Sequence, residues 1–77
     1  MNATLRHHCR QLLSGRWAAG FSLEFIEGPT LIDQQYFDPK IELTFDTEEE
    51  ARERNRRLAW NWRKASAPEV TLYERHA

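Results

Sequence analysis

Seventy-seven residues leave room for one hydrophobic core and no second domain. Eleven basic and twelve acidic side chains, a formal net charge of −1, supply no overall attraction to nucleic acid or anionic lipid and exclude the acidic surface of a nucleic-acid mimic. A hydrophobic content of 40% suffices for a core, charged residues of mixed sign argue against disorder, and no apolar run approaches the roughly 20 residues that cross a bilayer.

The first ten residues carry Arg6, His7, His8 and Arg10 where a secretory leader would need its apolar stretch, and the single Cys9 has no partner for an internal disulfide. Both features fit a cytoplasmic protein. Residues 4–12 admit two readings. Leu5, Cys9, Leu12 and Leu13 have helical spacing, with Asn2 as cap and Ser14-Gly15 as stop. Thr4 to Leu12 also reads as a strand joined to Trp17 by a Ser14-Gly15-Arg16 turn.

From Trp17 the pattern is clearer. Trp17, Ala19, Phe21, Leu23 and Phe25 alternate, which predicts a strand with one apolar face. Glu27-Gly28-Pro29-Thr30 is a turn, and Leu31 to Phe37 is a weaker strand ended by Asp38-Pro39. Ile41, Leu43 and Phe45 alternate with Glu42 and Thr44 in a further predicted strand. Ile26 with Ile32 or Tyr36 would leave a modest apolar patch on the outer face, and a sheet edge there could recruit a second chain as a homodimer.

A helix is predicted after Thr47. In Thr47-Glu48-Glu49-Glu50 the Thr hydroxyl can accept from the Glu50 N–H, while three acids suit the positive end of the helix dipole. Ala51, Asn55, Leu58, Trp62 and Ala65 form a stripe at spacings of four and three, and Pro68 ends the helix near Ala65. Glu48–Arg52, Glu50–Arg54 and Glu53–Arg57 are i,i+4 pairs in the favourable order. Val70 to Tyr73 alternates as an edge strand or as a segment pairing with another molecule. The predicted fold is therefore α+β: a short antiparallel sheet of two to four strands packed on one C-terminal amphipathic helix.

Phe45-Asp46-Thr47-Glu48-Glu49-Glu50-Ala51, with Trp62 eleven residues later and Gly15-Arg16-Trp17 upstream, resembles small uncharacterised bacterial domains in which a β-meander runs into a helix carrying a late Trp. The resemblance covers about half the chain, and Arg63-Lys64 stands where that family has acidic residues. It implies a strand for residues 4–12 and assigns no catalytic residue.

Signals for chemistry are few. His7-His8-Cys9 has the right atoms for a metal, but adjacent residues diverge on either kind of element, and neither C-x₂-C nor H-x₃-H spacing is present. No G-x-S-x-G elbow or glycine-rich phosphate loop occurs, and the carboxylates of Glu48 to Glu50 sit on an exposed helix start. The expectation is a non-enzymatic protein without cofactor or metal.

Opposite the predicted stripe, at about 100° per residue, Trp60 projects away from Leu58 and Trp62. Arg52, Arg56, Arg57, Arg63 and Lys64 fall around it, with Glu53 the only acid nearby. Trp among Arg is the composition of a protein-binding hot spot, and it equally serves to stack a base while cations meet phosphates. A solvated face, with cations suiting the negative helix end, explains the same residues. The sequence thus points to a small accessory or inhibitor-like module of bacterial or phage type that binds a protein partner. Nucleic-acid binding through Arg52, Arg56, Trp60 and Arg63 is the alternative.

Overall fold

The computed structural model describes residues 1–37 and 42–75, and its fold is α+β. The elements are β1 (Asn2–His7), β2 (Arg10–Gln11), β3 (Trp17–Ala18), β4 (Phe21–Glu27), β5 (Thr30–Phe37), β6 (Thr44–Phe45), α1 (Glu48–Ser66) and β7 (Thr71–Arg75). Four strands form the main sheet in the order β5-β4-β1-β7, and a smaller sheet has the order β2-β3-β6. Residues 4–12 are extended rather than helical.

The main sheet is mixed. β4 pairs antiparallel with β1 and β5, whereas β7 returns from the helix to lie parallel to β1, with Ala3 beside Leu72 and Leu5 beside Glu74. The crossover needed for a parallel neighbour is the helix itself. Register then sorts the side chains. Leu72, Ala3 and Phe25 form one row on the inner face, and Leu5, Leu23 and Gln35 the next. Phe21 stacks on Phe37 at a centroid distance of 4.5 Å at the end of that face. Ala3, Leu5, Phe21, Leu23 and Phe25 are all buried there with Ala59 and Val70.

Two turns use glycine where geometry demands it. Gly28, at φ +60, opens the two-residue hairpin between β4 and β5, and Pro29 supplies the negative φ that must follow. Gly15, at φ +88, turns β2 into β3, closed by the Leu12 N–H donating to the Arg16 carbonyl at 2.7 Å. The strand predicted from Trp17 is interrupted at Ala19-Gly20. Phe21, Leu23 and Phe25 keep the expected inner face, but Ala18 is buried instead of Trp17 and Ala19, because the chain changes sheets at the break and its parity shifts. Among the described residues of the strand predicted around Ile41, only Thr44–Phe45 is strand and Leu43 is exposed; Lys40, Ile41 and the Asp38-Pro39 stop lie outside the described residues. Arg16 anchors that short strand, its Nε donating to Thr44 Oγ1 at 2.6 Å while the same guanidinium pairs with Asp46.

The helix starts and stops where its caps dictate. Thr47 Oγ1 accepts from the Glu50 N–H at 3.2 Å, and the Ala67 N–H closes on the Arg63 carbonyl at 2.9 Å just before Pro68. Its buried residues are Ala51, Asn55 and Ala59, with Trp62 partly buried against the core. The predicted stripe is therefore rotated: Leu58 and Ala65 are exposed. Small side chains face the sheet because α1 lies directly over β1, where Ala3 is also small, and a leucine at the contact would hold the two backbones apart.

Candidate functional site

The six residues around the second-last tryptophan separate into two groups. Trp60 is 43% exposed, as its phase predicts. Arg57 is exposed too, as is Lys64, and neither makes an ion pair among the described residues. Arg52, Arg56 and Arg63 are half-buried and paired. Arg52 donates through Nε and Nη2 to Glu48 at 3.2 and 2.9 Å. Arg56 bonds Glu49 at 2.8 Å, Glu53 at 3.1 Å and, through Nε, Glu74 of β7. Arg63 donates to the carbonyls of Val70 and Pro68, holding the link from α1 to β7. The sequence places all six on one helical arc. Half of them are occupied: Arg52 by the Glu48 that i,i+4 spacing predicts, Arg56 also by Glu74 and Arg63 by carbonyls, which helix spacing does not reveal.

Beneath Arg56 lies a polar network at the helix–sheet interface. The His7 side chain is only 4% exposed. Its Nδ1 stands 3.0 Å from Asn55 Nδ2, and its Nε2 stands 3.0 Å from Glu74 Oε1. An amide N–H can only donate, so Nδ1 accepts and the ring proton resides on Nε2, which donates to the carboxylate. Asn55 Nδ2 also donates to the buried Gly20 carbonyl at 2.8 Å, and Cys9 Sγ lies 3.5 Å away. Two amide protons serve the carbonyl and the imidazole, leaving the sulfur a weak contact.

The electrostatics follow from burial and pairing. Burial pushes the His7 pKa below its ordinary 6.5, against the opposing pull of the Glu74 hydrogen bond. Burial alone would raise Glu74, but hydrogen bonds from Arg56 and His7 outweigh it and leave that carboxyl below its ordinary value. The Arg56 guanidinium, held first by Glu74 and then by Glu49, rises further above its usual range. Cys9 is raised by burial, the reverse of the activation a nucleophilic thiol needs. The network clasps β7 to α1 and β1. No group of three or more potential metal ligands occurs among the described residues.

The third region is the free side of the sheet. β5 has β4 on one flank and no strand on the other among the described residues, and six of its eight residues are exposed. Helix α1 covers β1 and the small sheet and leaves the inner face of β5 open. Between them runs an open cleft of about 290 Å³ lined by Met1, Phe25, Ile32, Asp33, Gln35 and Trp62. Trp62 meets Phe25 at 5.7 Å with planes inclined by 60°, so the two rings form its inner wall. A β-bulge lies at Phe25/Ile26. Phe25 pairs with Asp33 and Ile26 with Leu31, which leaves Ile32 as the extra residue. Ile32 therefore lines the cleft and does not join Ile26 and Tyr36 in an outer patch.

Sequence reasoning placed Trp62 wholly in the core and gave no role to Asp33 or Gln35. One signal was available: Thr30 to Phe37 carries Leu31, Ile32, Tyr36 and Phe37 without a single Lys or Arg, the residues that ordinarily guard an edge. No helix among the described residues is long and apolar enough to cross a membrane. No family model, curated protein or solved structure matches the chain.

Proposed function

We propose that this domain is a non-catalytic binding module that takes an extended segment of a protein partner as an added strand along the free side of β5. The observation that carries the reading is the eight-residue edge strand bordered by an open aromatic cleft. Strand addition obtains its affinity from main-chain hydrogen bonds along an edge and its selectivity from pockets that receive alternate side chains. Both parts lie side by side here. The cleft is small and open, on the scale of a side chain or two rather than a cofactor.

An accessory or inhibitor-like role fits such a module, since occupying a partner's extended segment blocks whatever else would engage it. The helical face centred on Trp60 has less support, because Arg52, Arg56 and Arg63 are spent within the fold. The same holds for nucleic-acid binding through those residues, which would need cations open to phosphate. Localisation in the cytoplasm accords with a single, partly buried cysteine.

The test is an amide-resolved NMR titration with strand-forming peptides, alongside a single-stranded oligonucleotide at low and moderate salt. Shifts along residues 30–37 and at the Trp62 indole are expected with peptide. Shifts centred on Trp60, or salt-sensitive oligonucleotide binding, would replace this reading with the helical face.

A further inference from the structure

The chemistry of the cleft selects its occupant, and the selection rests on the strand-addition reading above. An incoming strand places alternate side chains on the inner face, directly across from Asp33 and Gln35, with Cβ atoms about 5 Å apart. Such a side chain enters the cleft between the Trp62 and Phe25 rings on one side and Ile32 on the other. Asp33 sits at the rim. Its carboxylate accepts the Gln34 N–H at 2.8 Å and makes no ion pair among the described residues. No cation stands anywhere in Thr30–Phe37, and the end of β4 adds the exposed acid Glu27.

We propose that the cleft receives a lysine or arginine side chain from an extended basic segment of the partner, its apolar stem against Ile32 and Phe25 and its charge between Asp33 and the face of Trp62. An aromatic wall with one carboxylate at its mouth complements a cation carried on an apolar stem. The acidic, cation-free edge also decides between a foreign strand and a second copy of this chain. A second β5 would bring Asp33 and no cation, so self-pairing leaves the carboxylate uncompensated in every register.

Three octapeptides of one alternating design provide the test, threonine alternating with lysine, with glutamine or with glutamate, each titrated into the full chain and into Asp33→Asn. Amide shifts along residues 30–37 report strand addition, and the Trp62 indole N–H reports entry into the cleft. The lysine peptide should bind about tenfold more tightly than the glutamine peptide, the combined effect of one exposed ion pair and one cation–π contact. That preference should fall by about threefold in Asp33→Asn, and the glutamate peptide should bind weakest. Equal binding of the lysine and glutamine peptides would overturn the cationic occupant while leaving strand addition standing. If no peptide moves residues 30–37, strand addition fails and the cationic occupant with it. Shifts there that grow with protein concentration alone, with dimers in sedimentation, would assign the edge to a second copy.

Discussion

The two sides of the main sheet obey different rules. On the helix side, β1 and β4 present Ala3, Leu5, Leu23 and Phe25 to Ala59 and the partly buried Trp62. On the other side β5 carries a side chain of similar apolarity on the same face, yet Ile32 is 44% exposed. A chain of this length has one helix to spend and can cover only part of a four-stranded sheet. The covered part makes the fold stable, and the uncovered part is available for recognition. Residues of like hydrophobicity therefore have unlike consequences when changed.

The sharpest contrast should come from Leu23→Ala against Ile32→Ala. Leu23 is fully buried in the central strand, so its truncation should cost about 2–5 kcal/mol in urea unfolding, a large part of the stability of a domain this small. Ile32 is exposed, and its truncation should change stability by no more than about 0.5 kcal/mol while weakening peptide capture. Similar destabilisation by both would erase the distinction between the two sides.

Next in size is the polar clasp. Asn55→Ala removes the donor to His7 and one of the two donors to the Gly20 carbonyl, which keeps the His8 N–H at 2.8 Å, and it should cost about 1–3 kcal/mol. The clasp also sets a pH dependence. His7 has its folded pKa depressed, so the unfolded chain binds a proton first as pH falls from 6.5. Stability should therefore drop over the window below 6.5 until the folded value is reached, and His7→Gln should flatten that drop. Glu74, also depressed, contributes stability that is present above its unfolded value of 4.5 and lost as pH falls through its lower folded value. Unfolding midpoints measured from pH 8 downward separate the two windows; a stability that rises between 6.5 and 5 would contradict the His7 assignment. A smaller effect, about 1 kcal/mol, is expected for Thr47→Ala through loss of the helix cap, read as reduced helical circular dichroism stability. Smallest is Trp60→Ala, which should leave unfolding within about 0.5 kcal/mol and leave peptide binding at β5 unchanged.

The sequence disclosed what depends on near neighbours. The Thr47 cap, the Pro68 stop, the Gly28-Pro29 hairpin and the inward parity of Phe21, Leu23 and Phe25 all follow from spacings of a few residues. The ends of the helix are legible in its caps, and its rotation about the axis is not. Spacings of four and three select Leu58, whereas the helix buries Ala59 in the cluster that holds Ala3. Contacts distant in sequence were illegible. The parallel pairing of β1 with β7, and the hydrogen bond from His7 to Glu74 that crosses it, join opposite ends of the chain and leave no periodic trace. The β5 cleft was hidden for a related reason. It exists because the helix covers β1 and stops short of β5, and no pattern within Thr30–Phe37 states where a helix that begins at Glu48 will lie.

Residue-resolved hydrogen exchange at neutral pH examines the division of the sheet most directly. Amides of β1 and the β1-facing amides of β4 should exchange only through global unfolding, while the outward amides of β5 exchange orders of magnitude faster and become protected when the lysine peptide is added. Uniform, core-like protection along the whole of β5 in the isolated monomer would mean that its free side is already covered.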